Sequence, residues 1–173
     1  NHFMSFVDIL DNEDIMGVLK EATDNKPRWV HHFDVHKSFG GAKGWHSDAQ
    51  LWHIDDENYE HDFSMDDYNV YRIAIYFQDH QEDGGGLYVR PGSHIDSEKS
   101  EEYYIGTEPG DVILFDARNI EDRCTVYAAL GKDNEWSKLH AKGAIERQEK
   151  QNQEPYVLLP YLRKKLEKLG IVY

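Results

Sequence analysis

A histidine and an aspartate two residues apart leave the same face of an extended chain, so an imidazole and a carboxylate at that spacing can close on one cation. This sequence holds four such pairs: His32-Phe33-Asp34, His46-Ser47-Asp48, His53-Ile54-Asp55 and His94-Ile95-Asp96. Chance supplies about one of them in a chain this rich in histidine and aspartate, and the ordinary reading of any single pair is a surface histidine beside a solvated carboxylate. Joined by a second histidine on the same side of an octahedral ion, such a pair leaves the other side open to small molecules. That is the arrangement in which non-haem Fe(II) activates oxygen.

Surroundings separate the four pairs. His46 and Asp48 follow Trp45, and three further segments come after them in order: Tyr71 to Asp79 (Tyr-Arg-Ile-Ala-Ile-Tyr-Phe-Gln-Asp), Gly85 to His94 (Gly-Gly-Leu-Tyr-Val-Arg-Pro-Gly-Ser-His) and Pro109 to Asp116 (Pro-Gly-Asp-Val-Ile-Leu-Phe-Asp). Over roughly residues 27–150 this ordered set resembles the phytanoyl-CoA dioxygenase family of Fe(II)/2-oxoglutarate oxygenases, and the order is far more specific than any one motif.

The resemblance implies that His46 and Asp48 hold Fe(II), with 2-oxoglutarate as cosubstrate and O2 as oxidant. It implies that Arg123, at the start of a later strand, grips the far carboxylate of 2-oxoglutarate with its guanidinium fork; otherwise Arg123 is an ordinary strand-end surface residue. Gly92-Ser93-His94 is a turn in the family, so His94 is not taken as a ligand, and His53 is the fallback. An aspartate at position 48, rather than a small residue, favours hydroxylation over halogenation, because its carboxylate takes the position a halide would need.

One element of the family pattern is missing. A second histidine should follow Asp116-Ala117-Arg118, and Asn119-Ile120-Glu121-Asp122 contains none. Three readings are open. Glu121 is the third ligand, giving one nitrogen and two carboxylates, a set that Fe(II) or Mn(II) accepts. Alternatively the protein has lost its metal and binds without catalysing. The third reading is that a stretch between about Ala117 and Glu121 is absent from the sequence in hand, since the family's connection there is longer; it fits the family best. His140, the one histidine further on, is expected on the surface of a helix.

The elements that must position these residues follow from local pattern. Asp11 to Asp24 reads as a helix on the outside of a sheet, capped by Asp11 or Asn12, with Ile15, Val18 and Leu19 at helical spacing. Trp29 to Val35 is rich in aromatic and β-branched residues and reads as a strand. The Gly-containing stretch Lys37 to Gly44 then leads as a loop into the His46 segment. Acidic Asp55 to Asp67, with Tyr59 and Tyr68 in or beside it, reads as a loop or irregular helix over the site. Val70 to Gln78 alternates as a sheet strand, Leu87 to Arg90 is a short strand, and Val112 to Phe115 has the continuous apolar character of a buried one. Cys124 to Leu130 is the last strand, followed by helices over Glu135 to Gln151 and Tyr161 to Leu169.

Composition narrows the partners. With 33 acidic against 19 basic residues, the formal charge of −14 repels polyanions, which argues against nucleic acid or an anionic membrane as partner. It also gives no support for an acyl-CoA substrate, whose phosphates call for basic residues. Cys124 is the only cysteine, so an intrachain disulfide or thiolate zinc cluster cannot form, and a reducing, cytoplasmic setting is expected. No apolar run approaches the ~20 residues that span a bilayer. Because the sequence starts with Asn, it reads as part of a longer chain.

Together these readings predict one mainly β domain over residues 1–173: a double-stranded β-helix (jelly roll, cupin-like) core at about 27–131, with flanking helices at about 135–169. The expected activity is Fe(II)- and 2-oxoglutarate-dependent hydroxylation of a small molecule whose identity, like the oligomeric state, the sequence leaves open. Its rivals are a jelly-roll protein that binds a metal or small ligand without oxidising it, and a cupin-type metalloenzyme that does not use 2-oxoglutarate.

Overall fold

In the computed structural model of the chain, residues 8–35, 45–47, 67–82, 85–96, 98, 100–118, 120–122 and 126–173 are described, with strand residues 34, 35, 46, 120–122, 126 and 127 described by their backbone only. A 3-10 turn at Asp8–Asp11 leads into helix α1 (Glu13–Ala22). The Asn12 side chain accepts from the backbone N–H groups of Asp14 and Ile15 at 2.9 and 3.1 Å, which satisfies two donors that the first turn leaves open. Glu13 and Asp14 add negative charge where the helix dipole favours it. Met16 and Leu19 are the residues α1 buries; Val18, expected on the same face, is 54% exposed.

Among the described residues eight strands follow: β1 (Pro27–Val35), β2 (His46–Ser47), β3 (Val70–Ile75), β4 (Leu87–Arg90), β5 (Tyr103–Ile105), β6 (Val112–Asp116), β7 (Ile120–Asp122) and β8 (Val126–Lys132). They form two four-stranded antiparallel sheets, one in the order β1-β8-β3-β6 and the other β2-β7-β4-β5. We call these the first and second sheet. Helices α2 (Glu135–Asn152) and α3 (Pro160–Leu169) close the chain. Pro160 opens α3, where a missing N–H costs nothing, and Gly170 at φ +70° ends it in the left-handed conformation that glycine adopts freely. The tail then runs beside β1, where the Trp29 N–H donates to the Val172 carbonyl at 2.7 Å.

The first sheet is covered on both faces. On its outer face Trp29, Ile73, Ala128 and Leu130 pack with Met16 and Leu19 of α1 and Leu162 and Leu166 of α3. Its inner face carries Val70, Arg72, Ala74 and Tyr76, all buried. This is why β3, read as an alternating strand, shows almost no exposed residue: either face would be polar only if it met water. β6 departs from expectation in the other direction. Its continuous apolar run lies at the edge of the sheet, and Val112 is 37% exposed. Val112, Leu114, Phe77 and Val18 line an open groove of about 880 Å³ between α1 and this edge, on the side of the sheet away from Arg72.

Among the described residues, apolar packing on this inner face forms two clusters. One joins Ala74, Tyr76 and Phe115 of the first sheet to Leu87 and Val89 of the second. The other contains Val30, Tyr68, Val70, Ala117 and Ala129, with Trp136 of α2 against it. β4 thus lies over β3 and β6, and the strand order carries β7 and β2 over β8 and β1.

β1 is irregular in its middle. Trp29 opposes Leu130 and Phe33 opposes Ala128, so Val30, His31 and His32 together face the single residue Ala129. His31 sits there at φ +55°. Among the described residues, no helix is long and apolar enough to cross a membrane.

Candidate metal and cosubstrate site

β2 is only two residues long, so its position depends on what holds it from outside. The Ser47 hydroxyl lies 3.1 Å from the carbonyl oxygens of both Ala117 and Arg118, a three-centre donation to the turn that links β6 to β7. Two residues earlier, the Arg90 guanidinium lies 4.2 Å above the Trp45 ring, and Tyr88 meets that ring edge-on at 6.4 Å. Tyr88 and Arg90 alternate with the buried Leu87 and Val89 on β4, so these contacts grip β2 from the outer face of the second sheet.

In the ladder, His46 is directly opposite Glu121, and Glu121 is directly opposite Val89. The register therefore sets positions 46, 121 and 89 in one row across the second sheet, and Val89 belongs to the packing between the sheets. The residue proposed from sequence as the substitute third ligand is thus the cross-strand partner of the first. Asp48, Arg123 and the fallback His53 lie outside the described residues, as do the loop Lys37 to Gly44 and most of the acidic stretch 55–66. Among the described residues, no three His, Cys, Asp or Glu side chains come together to hold a metal ion. The donor chemistry along the row, an imidazole residue opposite a carboxylate residue with Asp48 two positions on, nevertheless suits Fe(II), which accepts nitrogen and oxygen ligands together.

The turn that receives Ser47 is itself braced. Arg118 donates to Asp116 through Nε at 3.0 Å and Nη2 at 2.7 Å, a fork that fixes both side chains in a part-buried setting. Burial works against the Arg118 charge, but the hydrogen bonds and field of Asp116 outweigh it, and its pKa is raised. The same guanidinium lies 4.9 Å over the ring of Tyr68, whose hydroxyl hydrogen-bonds His140 Nε2 on α2. His140 is therefore not the surface residue expected: it is 8% exposed. The buried face of α2 consists of Ser137, His140, Ala141 and Gly143, small or polar residues that hydrophobic spacing does not reveal. Tyr68 is fully buried against Trp136 and His140, a packing role.

Two residues to which the motif order assigned no role meet at the inner face of the first sheet. Arg72 on β3 is 4% exposed. Its Nη1 donates to His32 Nδ1 at 2.7 Å, across the strand that separates them. The intervening residue, directly opposite Arg72 on β8, is Ala129, whose methyl leaves the long side chain room to cross. His32 belongs to one of the four His-x-Asp pairs, and here its ring nitrogen serves an arginine. The signal for Arg72 was present: it is the single charged residue between Val70 and Phe77.

His94 lies in the turn after β4, where Ile95 N–H and Asp96 N–H both donate to the Gly92 carbonyl, consistent with the turn reading.

Among curated proteins, none matches this sequence. Among solved structures the fold is similar to that of SnoN, a non-heme alpha ketoglutarate dependent epimerase from nogalamycin biosynthesis, with a TM-score of 0.51 and 12% sequence identity over 72% of this chain. The chain spans about half the length of that protein, covering 55% of it. The family profile for phytanoyl-CoA dioxygenase (PhyH) matches residues 5–120. The match begins earlier than the resemblance from residue 27 suggested and stops one residue before Glu121, where the family's second histidine fails to appear. Covering most of the chain, it establishes that the chain belongs to the phytanoyl-CoA dioxygenase family.

Proposed function

We propose that this chain is an Fe(II)- and 2-oxoglutarate-dependent dioxygenase that hydroxylates a small molecule, built on one jelly-roll unit. Family membership supports the class of activity, and the observation that carries the site is the register pairing of His46 with Glu121. In this reading His46, Asp48 and Glu121 hold the iron and Arg123 anchors the distal carboxylate of 2-oxoglutarate. When bound, the iron supplies oxygen activation coupled to conversion of 2-oxoglutarate to succinate and CO2. The chain's own contribution is to fix β2 through Ser47 and Trp45, so that the ligand-bearing residues are held before the metal arrives.

The test is succinate release with added iron and 2-oxoglutarate, compared between the protein and Asp48→Ala. Release that depends on Asp48 supports the reading; none above the variant rejects it. The glutamate where the family has histidine favours one alternative, a protein that binds metal without oxidation. Metal binding with no succinate release would select it.

A further inference from the structure

The pairing that aligns His46 with Glu121 is two residue pairs long, the second being Ser47 with Ile120. So short a ladder has little stability of its own, and the place of β2 depends on the turn to which Ser47 is tied. Two consecutive peptide groups of that turn are pinned. The Ala117 N–H donates to the Val70 carbonyl on β3 at 3.0 Å, which anchors the turn to the first sheet. The next peptide group, joining Ala117 to Arg118, is held at both ends: its N–H donates to Asp116 Oδ1 at 2.9 Å, and its carbonyl accepts from the Ser47 hydroxyl at 3.1 Å. Rotating that group would break both bonds together. What holds the Asp116 carboxylate in place is the Arg118 side chain, whose Nε and Nη2 donate to its two oxygens at 3.0 and 2.7 Å. The two side chains are only 10% and 20% exposed, so salt and solvent screen this pair little. The fully buried ring of Tyr68, 4.9 Å from the guanidinium, limits where the fork can swing.

We propose that Arg118 is a positioning residue for the row of His46 and Glu121, a role that rests on reading those two residues as metal ligands. By fixing the Asp116 carboxylate it fixes the Ala117–Arg118 peptide, through that peptide the Ser47 hydroxyl, and through Ser47 the adjacent His46. Ligands held in place before an ion arrives bind it more tightly, because the cost of ordering them is not drawn from the binding step. His46 and Glu121 stand on different strands, and the turn after β6 is where both strands meet one rigid support. Asp116 is thereby given a use other than coordination: Oδ1 takes the Arg118 N–H and Nε, and Oδ2 takes Nη2.

The experiment is calorimetric titration of Mn(II) into the wild type, Arg118→Met, Arg118→Lys, Asp116→Ala and the double variant of Arg118→Met with Asp116→Ala. The EPR line shape of bound Mn(II) is a second readout, and circular dichroism confirms folding. Leu19→Ala, a core change on the outer face of the first sheet, is the control for lost stability alone. We expect Arg118→Met and Asp116→Ala each to weaken Mn(II) binding roughly tenfold and broaden the EPR lines, and Arg118→Lys, which keeps the charge without the fork, to weaken it about two- to threefold. Leu19→Ala should leave affinity and line shape unchanged. Because the two side chains act through one peptide, the double variant should lose no more than the larger single loss. Single losses that add, a loss equalled by Leu19→Ala, or folded Arg118 variants with wild-type affinity and line shape overturn the proposal. If Arg118→Met or Asp116→Ala does not fold, Arg118→Lys and Asp116→Asn, which keeps an acceptor for the Arg118 N–H, carry the same comparison. Mn(II) binding that needs Arg118, in a protein that releases no succinate with Fe(II) and 2-oxoglutarate, upholds the positioning role and rejects the oxygenase reading. Succinate release with Mn(II) binding indifferent to Arg118 does the reverse. A wild type with no affinity for Mn(II) rejects the metal row and this role together.

Discussion

His46 and Glu121 face each other directly across the antiparallel pair β2–β7. Opposed positions in such a ladder have Cβ atoms about 5 Å apart, close enough for an imidazole and a carboxylate to share one ion. His46→Ala and Glu121→Gln should therefore each reduce Mn(II) affinity by tenfold or more, read by titration calorimetry without substrate. A Glu121→Gln variant with wild-type affinity removes Glu121 from the ligand set. Glu121→His, restoring the family's residue type, should retain binding.

Ser47 acts on the same strand from the other side, through its hydroxyl bond to the carbonyls of Ala117 and Arg118. Ser47→Ala should leave the fold intact, with a stability loss of about 1 kcal/mol. Metal affinity should fall by up to tenfold, because supports behind a metal ligand set its orientation. Equal metal binding by the two proteins would show that β2 is held adequately by Trp45 and the ladder alone.

Gly131 is where β8 passes beneath the start of α2. A methyl group there would come 2.2 Å from the Ser137 hydroxyl oxygen and 2.9 Å from the Asn69 carbonyl. Gly131→Ala should cost about 1–3 kcal/mol in urea denaturation, the usual effect of overpacking. Adding Ser137→Ala should recover part of the loss and not all of it, since the Asn69 carbonyl is backbone. Full recovery would mean that the carbonyl moves freely.

Stability should fall on mild acidification because of His31. Burial first, and then the charge of Arg28, lower its pKa from 6.5 to about 4. The unfolded chain thus binds a proton between about pH 6.5 and pH 4 that the folded chain refuses. The contribution is complete above about pH 6.5 and lost progressively as pH falls toward 4. His31 also holds Tyr156 Oη at 3.0 Å, and its carbonyl accepts from Gln148 at 2.6 Å, so the loss loosens the link between β1 and the segments around α2. His31→Asn, which tolerates the positive φ, should flatten the pH dependence over that window. An unchanged slope would place the titration elsewhere.

Sequence reading succeeded where a pattern repeats locally. α1, α3 and the long strands β1, β3 and β8 carry enough consecutive residues for a period to emerge, and their bounds differ from expectation by a few positions. β5 and β7, three residues each, carry no period, and their existence depends on the ladder partner β4, distant in sequence. Burial was less legible than helix or strand. Arg72 and His140 look like surface residues by type, yet one is enclosed between two sheets and the other is bonded to Tyr68. What decides both is the layer lying over them. The metal row is a middle case: residues 46 and 121 were each named from the motif order, but that they oppose one another is a fact of register, which the sequence does not encode locally.

The irregularity of β1 has an arithmetical property. Three residues facing one adds two to the strand, an even number, and the faces of a strand repeat every two residues. Trp29 before the insertion and Phe33 after it consequently pack on the same outer side. An insertion of one residue would have turned everything beyond it inside out. The chain has thus gained a local irregularity that carries a left-handed His31 against Tyr156 and a His32 toward Arg72, while leaving the hydrophobic order of the rest of the strand unaltered. Length variation at this point of the fold should accordingly come in pairs.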